Sequence, residues 1–306
     1  MLKERRSEIL LTLAAVMFAS NGIASKLLLN GHISAWRLAQ VRSLATFLVL
    51  AALIAWRAPK SMRITKREIP RLAALGAFGI AAVNGTYFLA ISRMHVSIAL
   101  LIEFTAPVWI VLYLRFIRKK HVPNEMWLAL FLALFGLAFV AQVWDGLTLD
   151  GIGVIAALTS AFAVAFFFLA GEGLTQDRDN QSTTMWGFGF AALTWSLIMP
   201  LWTFPVDVFT VSIPLEGAFA GHNAPGWVLI LYVVFIGTVF PYLCVMNGLK
   251  NLTASTTSAF GMLEPIFAGI IAWFWFGESW TPIQLLGGII VIAGIYMADR
   301  VRSAVK

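Results

Sequence analysis

Three charged side chains sit inside long apolar runs of this chain: Arg42, Glu103 and Glu264. A lone charge in such a setting costs several kcal/mol unless a partner or water meets it, so each needs a reason. Arg42 and Glu103 lie about seven residues into their runs from the same side, which puts both roughly 10–13 Å deep at 1.5 Å per residue. Two arrangements follow. They form either a buried ion pair joining two helices, or the two poles of a site for a zwitterion. In the second case the planar fork of Arg42 suits a carboxylate and Glu103 suits an ammonium. Glu264 enters from the other side, reaches the middle of its run and precedes Pro265. It is either a proton site or a group satisfied by backbone that the proline frees.

Tyr87, Trp109, Trp186 and Tyr242 also fall within apolar runs, where a polar ring edge wants a partner. A cavity lined by them would favour flat or apolar ligand groups. Asn21, Asn84 and Asn247 read as hydrogen-bonding residues between helices before they read as ligand contacts. Pro107, Pro241 and Pro265 each interrupt a run and predict a kink, serving either as hinges or as static bends. Glycines at 76, 79 and 85, and at 287, 288 and 294, permit close helix contact.

Catalytic signatures are missing: there is no HExxH, no GxSxG and no glycine-rich phosphate loop. Cys244 is the single cysteine, which excludes an internal disulfide and a CxxC metal site, and the four histidines are scattered. No cofactor or metal is expected.

The elements that must position these residues are ten apolar stretches, approximately Ile9–Leu29, Ala35–Trp56, Ile69–Ile91, Val96–Ile117, Met126–Trp144, Ile152–Ala170, Met185–Thr203, Gly226–Gly248, Thr253–Phe276 and Trp280–Ala298. Crossing a hydrocarbon core of about 30 Å takes ~20 apolar residues. With 60% hydrophobic residues, 12% charged and a mean hydropathy of +0.84, the 306 residues cannot form a soluble domain. The chain reads as an all-α polytopic membrane protein, one domain of ten transmembrane helices.

The net charge of +7 is distributed by side. Eighteen of the 22 basic residues fall before the first stretch (Lys3, Arg5, Arg6), between two and three (Arg57 to Arg71), after four (Arg115 to Lys120), after six (Arg178), after eight (Lys250) and in the tail (Arg300, Arg302, Lys306). The opposite loops carry Asp145, Asp150, Asp207, Glu216 and Glu278. This asymmetry predicts cytoplasmic termini; the basic loops meet anionic membrane lipid rather than nucleic acid. The first stretch is too long for a signal-peptide core and reads as a retained helix. The outer connection Phe204–Pro225 is expected to be either a short interfacial helix or a flexible linker.

A shift of 158 residues sets Pro107 on Pro265, Ser97 on Ser255 and Gly136 on Gly294. It divides the chain into two five-helix units, residues 9–144 and 152–300. Five is odd, so the second unit enters the membrane inverted, as in many secondary transporters.

The last third carries a recognisable pattern: Ala254-Ser255 and a small polar run to Ser258, then Leu263-Glu264-Pro265, Phe276-Gly277-Glu278, Thr281, Gln284, Gly287 and Gly294. It resembles the second repeat of EamA-type ten-helix carriers of the drug/metabolite transporter superfamily, most of all the aromatic and neutral amino-acid exporters of the bacterial inner membrane. Arg118-Lys119-Lys120 stands where a Gly-Glu pair often sits in that family. The resemblance implies a basket of helices one to four and six to nine around a cavity, with five and ten on the periphery. It also implies a secondary carrier for small molecules, exporting neutral or aromatic amino acids and related metabolites by alternating access. The alternatives are an exporter of cationic drugs, with Glu103 and Glu264 as counter-charges, a membrane-embedded transferase, and a non-transporting scaffold.

The charge asymmetry generates a first prediction. A reporter fused after Lys306 should be active as a cytoplasmic enzyme and silent as a periplasmic one; the reverse pattern would overturn the orientation.

Overall fold

A computed structural model describes residues 2–30, 33–94, 96–144, 150–277 and 280–305. Asp145 and Glu278 of the acidic loops and Lys306 of the tail lie outside the described residues. Ten helical rods follow in order: α1 (Leu2–Leu29), α2 (Ala35–Arg57), α3 (Ile69–Ile91), α4 in two pieces (Val96–Glu103 and Ala106–Leu112), α5 (Asn124–Val140), α6 (Gly151–Asp177), α7 (Asn180–Ile198), α8 (Gly226–Asn251), α9 in two pieces (Ala254–Gly261 and Glu264–Phe276) and α10 (Pro282–Val305). Eight of these are long and apolar enough to cross a membrane, so the chain is a polytopic all-α membrane protein. The two others are α5, whose 17 residues span only about 25 Å, and α7, whose first turn is polar (Asn180 to Thr184).

Helix ends differ from the apolar runs because polar caps extend them. Asp179 accepts the Ser182 N–H at 2.8 Å, so α7 begins at Asn180 rather than Met185. Pro200 follows its end at Ile198, short of the expected Thr203. Likewise α6 runs on to Asp177, well past Ala170, and carries Glu172 inside the helix. At the start of α10, Thr281 and Gln284 form a reciprocal capping box: Thr281 N–H donates to Gln284 Oε1 (2.9 Å), and Gln284 N–H to Thr281 Oγ1 (3.3 Å).

The Phe204–Pro225 connection is neither an interfacial α-helix nor a featureless linker. Val206–Phe209 is one tight 3₁₀ turn, and β1 (Ser212–Pro214) pairs antiparallel with β2 (Asn223–Pro225), Ile213 opposite Ala224. Val208 and Ile213 are buried beneath it, which accounts for the apolar residues there.

Packing pairs α1 with α8, α3 with α6, α2 with α7 and α5 with α10. Glycine makes the closest of these possible. A Cβ on Gly136 would lie 2.7 Å from the Gly287 carbonyl, and one on Gly294 2.7 Å from that of Ala129. Several features recur 158 residues apart. Wide π turns occur at Leu75–Ala81 in α3 and Phe235–Val239 in α8, holding Gly79 and Gly237; the helix breaks fall at residues 104–105 and 262–263. Gly79 packs on Phe167 and Gly237 on Asn21.

The end of the bundle that carries the basic loops is latched. Arg178 donates from Nε to Ser182 Oγ (2.7 Å), from Nη1 to Glu68 (2.8 Å), and from Nη2 to the carbonyls of Ser61 (2.6 Å) and Arg63 (2.8 Å). Thus the α6–α7 turn clamps the α2–α3 loop. The Thr65 backbone N–H and hydroxyl, with Arg178, hold the Glu68 carboxyl down to about 2. Its stabilising contribution is complete above the ordinary value of 4.5 and disappears as pH falls through about 2. Arg178→Ala should cost about 2 kcal/mol, toward the low end for a broken pair because Glu68 keeps some solvent. Thermal melts in detergent check this. A melting temperature unchanged in Arg178→Ala would contradict the latch.

Candidate functional site

Between the rods lies a cavity of about 620 Å³, lined from α1, α2, α3, α4, α6, α8 and α9. Helices α5 and α10 contribute nothing to it, and α7 stands behind α2 and α3. At the end near the C-terminus of α1 the lining residues Gly22, Lys26 and Asn30 are exposed; at the other end Leu11, Thr257 and Ser258 are buried. The cavity therefore communicates with the face opposite the basic loops. Its closed end is sealed by Leu11 against Gly248 and, beyond, by Ser7 Oγ donating to Asn247 Oδ1 at 2.8 Å.

Proline breaks shape the wall. Pro107 has no N–H for the Glu103 carbonyl, and Pro265 none for that of Gly261. Each helix answers with a tight turn: Thr105 N–H bonds Ile102 O (3.1 Å) in α4, and Leu263 N–H bonds Phe260 O (3.1 Å) in α9. The result in both rods is one tight turn between two helical pieces, with right-handed dihedrals at Thr105, Met262 and Leu263, so each continues as a single span. Pro241 behaves differently. The π turn ahead of it widens the ladder, and α8 runs through unbroken from Gly226 to Asn251.

The breaks place two carboxylates at the cavity. Glu103 is the last residue of the first piece of α4, and Glu264 opens the second piece of α9. Arg42 enters from α2, and all three line the same space together with Tyr87 and Tyr242. Arg42 makes no hydrogen bond and no ion pair within 4 Å to any described residue, so the buried bridge to Glu103 is absent. Within electrostatic reach of Arg42 are instead Glu264 and the neutral Tyr242 hydroxyl, and Glu264 in turn feels both Arg42 and Glu103. Glu264 likewise has no hydrogen-bond partner among the described side chains, leaving its oxygens to the cavity.

Glu103 is held by a residue that sequence reading passed over. Ser160, fully buried in α6, hydrogen-bonds the Glu103 carboxylate and lies 3.3 Å from the Val83 carbonyl. A hydroxyl has one proton to give. With Glu103 charged, Ser160 donates to it; with Glu103 neutral, the carboxyl donates to Ser160, which turns its proton to Val83. Ser160 precedes Val164 and Phe167 on one helix face, at spacings of four and seven, and both line the cavity. That spacing was the available signal.

The aromatic residues divide. Tyr242 meets Phe18, Phe167 and Phe188 edge-on at 5.5, 5.7 and 4.8 Å, so its ring is fixed, with Arg42 in electrostatic reach of its hydroxyl. Tyr87 lies beside Phe88 on the α3 wall. Trp109 and Trp186 are elsewhere. Trp109 bonds Thr105 Oγ1 (3.0 Å) and lines a separate groove toward the basic end, while Trp186 donates to the Met62 carbonyl (3.1 Å) and belongs to the latch. Asn21 and Asn84 do line the cavity, whereas Asn247 serves the seal.

Known proteins with similar sequences are transporters. An uncharacterized transporter, YdfC, of Bacillus subtilis is 26% identical over 75% of this chain and 71% of its own length. The threonine/homoserine exporter RhtA of Escherichia coli is 25% identical over 86% of this chain and 81% of its own. A solved crystal structure with 14% identity matches 99% of both chains at a TM-score of 0.78, sharing the fold. The model of the EamA-like transporter family matches twice, at residues 5–142 and 151–298. Two matches cover nearly every residue, one on each half, and the chain belongs to the EamA-like transporter family.

Proposed function

We propose that this protein is a secondary exporter of neutral amino acids, aromatic ones included, working by alternating access in the bacterial inner membrane with both termini in the cytoplasm. One observation carries the reading. A guanidinium without an acceptor among the described residues lines the same closed-ended cavity as two carboxylates. Such a group inside a bundle is stabilised by water and by whatever ligand replaces that water. In this reading the Arg42 fork takes the carboxylate, Glu264 takes the ammonium, and the side chain lies along Tyr87, Phe88 and Phe167. The amino-acid substrate named for RhtA supports the same class. An exporter of cations would have no use for Arg42 beside Glu264.

All ten rods cross the membrane in this proposal, with α5 and α7 completed by flanking residues, and the halves form inverted repeats. The recurrence of π turns, breaks and glycine contacts at one spacing supports this, as does the pairing of α1 with α8 and of α6 with α3. With the basic loops inside, the cavity faces outward. The broken α4 and α9 are then the hinges about which it closes, with the seal between α1 and α8 opening in exchange.

Counterflow of labelled amino acid in proteoliposomes tests the reading. Arg42→Lys keeps the charge and loses the fork, and Glu264→Gln keeps the shape and loses the charge. Each should lower flux by about 10–100-fold, the worth of one charge-assisted hydrogen bond, with melting temperatures within a few degrees of the parent. Full flux by both folded variants would sink the zwitterion site.

A further inference from the structure

A second space lies at the basic end, apart from the cavity. It is a groove of about 840 Å³ between the second piece of α4 and the C-terminal half of α6. Its deep end is closed by Trp109 against Phe162, ring centroids 4.4 Å apart. Leu112, Phe166 and Leu169 form its walls. From Phe162 to Gln176 the groove runs about 20 Å, at 1.5 Å per residue, which exceeds the ~15 Å of one hydrocarbon leaflet. It thus reaches from mid-bilayer into the headgroup layer. Phe162 is 50% exposed and Phe166 37%, so the flank is open to the hydrocarbon.

The mouth is charged. Lys119 adopts a left-handed conformation (φ 53°), and the Lys120 N–H returns to the Leu114 carbonyl at 2.9 Å, folding the chain over the helix end. Arg118 spends Nε on the Tyr113 hydroxyl (3.1 Å) and lies over that ring, leaving both Nη groups toward the groove mouth without a described acceptor. Glu172, on the opposite wall, is met by the Ala254 backbone N–H at the start of α9 and sits in electrostatic reach of Lys120 and Arg118. Two cations facing one carboxylate at the top of an apolar slot match an anion that carries its own ammonium.

We propose that this groove binds one phospholipid with an ethanolamine headgroup, its phosphate diester between Arg118 and Lys120, its primary ammonium on Glu172, and one acyl chain along Leu112, Phe166 and Leu169. A choline headgroup has no N–H to donate to Glu172, and a glycerol headgroup has no positive charge to offer it. A water-soluble zwitterion would leave the apolar length, open to lipid, without an occupant.

Native mass spectrometry of the full chain, equilibrated with equal amounts of ethanolamine, choline and glycerol phospholipids of the same acyl chains, tests this. The ethanolamine adduct should exceed the others by about tenfold, one charge-assisted hydrogen bond. It should fall about tenfold in Arg118→Ala/Lys120→Ala. Glu172→Gln should keep an adduct but lose the preference over the choline lipid. Lys120→Ala alone, on an exposed turn, provides a folded variant if the double substitution does not fold. Equal adducts for all three lipids, a dominant glycerol-lipid adduct, or an ethanolamine adduct indifferent to the lysine and arginine substitutions would each overturn the site. Because the readout is lipid bound rather than flux, it stands or falls independently of the transport reading.

Discussion

Inside a hydrocarbon slab every backbone N–H and C=O must find a partner within the protein or in a water-filled space, since each orphan costs several kcal/mol. Proline removes one N–H, and so dictates where this bundle is allowed to be wet. The carbonyls freed at Glu103 and Gly261 by Pro107 and Pro265 lie at the two broken rods, and both breaks border the cavity. Beside Pro241, whose neighbour Tyr242 also lines the cavity, a π turn absorbs the irregularity and the rod continues. The same chemistry, a missing donor, is met by a tight turn in two places and by a widened turn in a third, all three beside the cavity.

The charges follow from the breaks. A carboxylate at mid-bilayer on an intact, lipid-facing helix would be neutralised or expelled; at a break beside a cavity it keeps water or a ligand. Glu103 and Glu264 occupy opposite sides of their breaks, one closing a helical piece and the other opening one. Against them stands Arg42, unpaired among the described residues. Coulomb attraction at an effective dielectric of about 20 gives a few kcal/mol at 4 Å and fades with distance, so an arginine held short of contact retains a drive to bind an anion. Sealing a structural bridge would have removed that drive.

What sequence reading captured depended on how local each signal is. The rods were legible because twenty apolar residues have one use, and the basic loops because their charge repeats by side. Their ends were not: Asp179 and Thr281 cap helices with polar groups that hydropathy counts against a span. Depth placed Arg42 and Glu103 at one level correctly enough to bring both to the cavity, yet depth says nothing of azimuth. Azimuth gave Glu103 to Ser160 and left Arg42 without contact to it. Trp186 and Trp109 misled for the same reason, their ring nitrogens bonding Met62 and Thr105 away from the cavity. The π turns have no signature in residue type beyond a glycine, and emerged only from the geometry.

Equilibrium binding of a ligand series tests the central claim, that an unpaired Arg42 in a proline-shaped cavity reads a carboxylate. Ligand-induced thermal stabilisation would be compared for one neutral amino acid, its carboxamide and its N-acetyl form. The amino acid should stabilise the parent protein, both derivatives should bind at least about tenfold more weakly, and Arg42→Lys should abolish the difference between acid and amide. An amide that stabilises the parent as well as the acid does would contradict it.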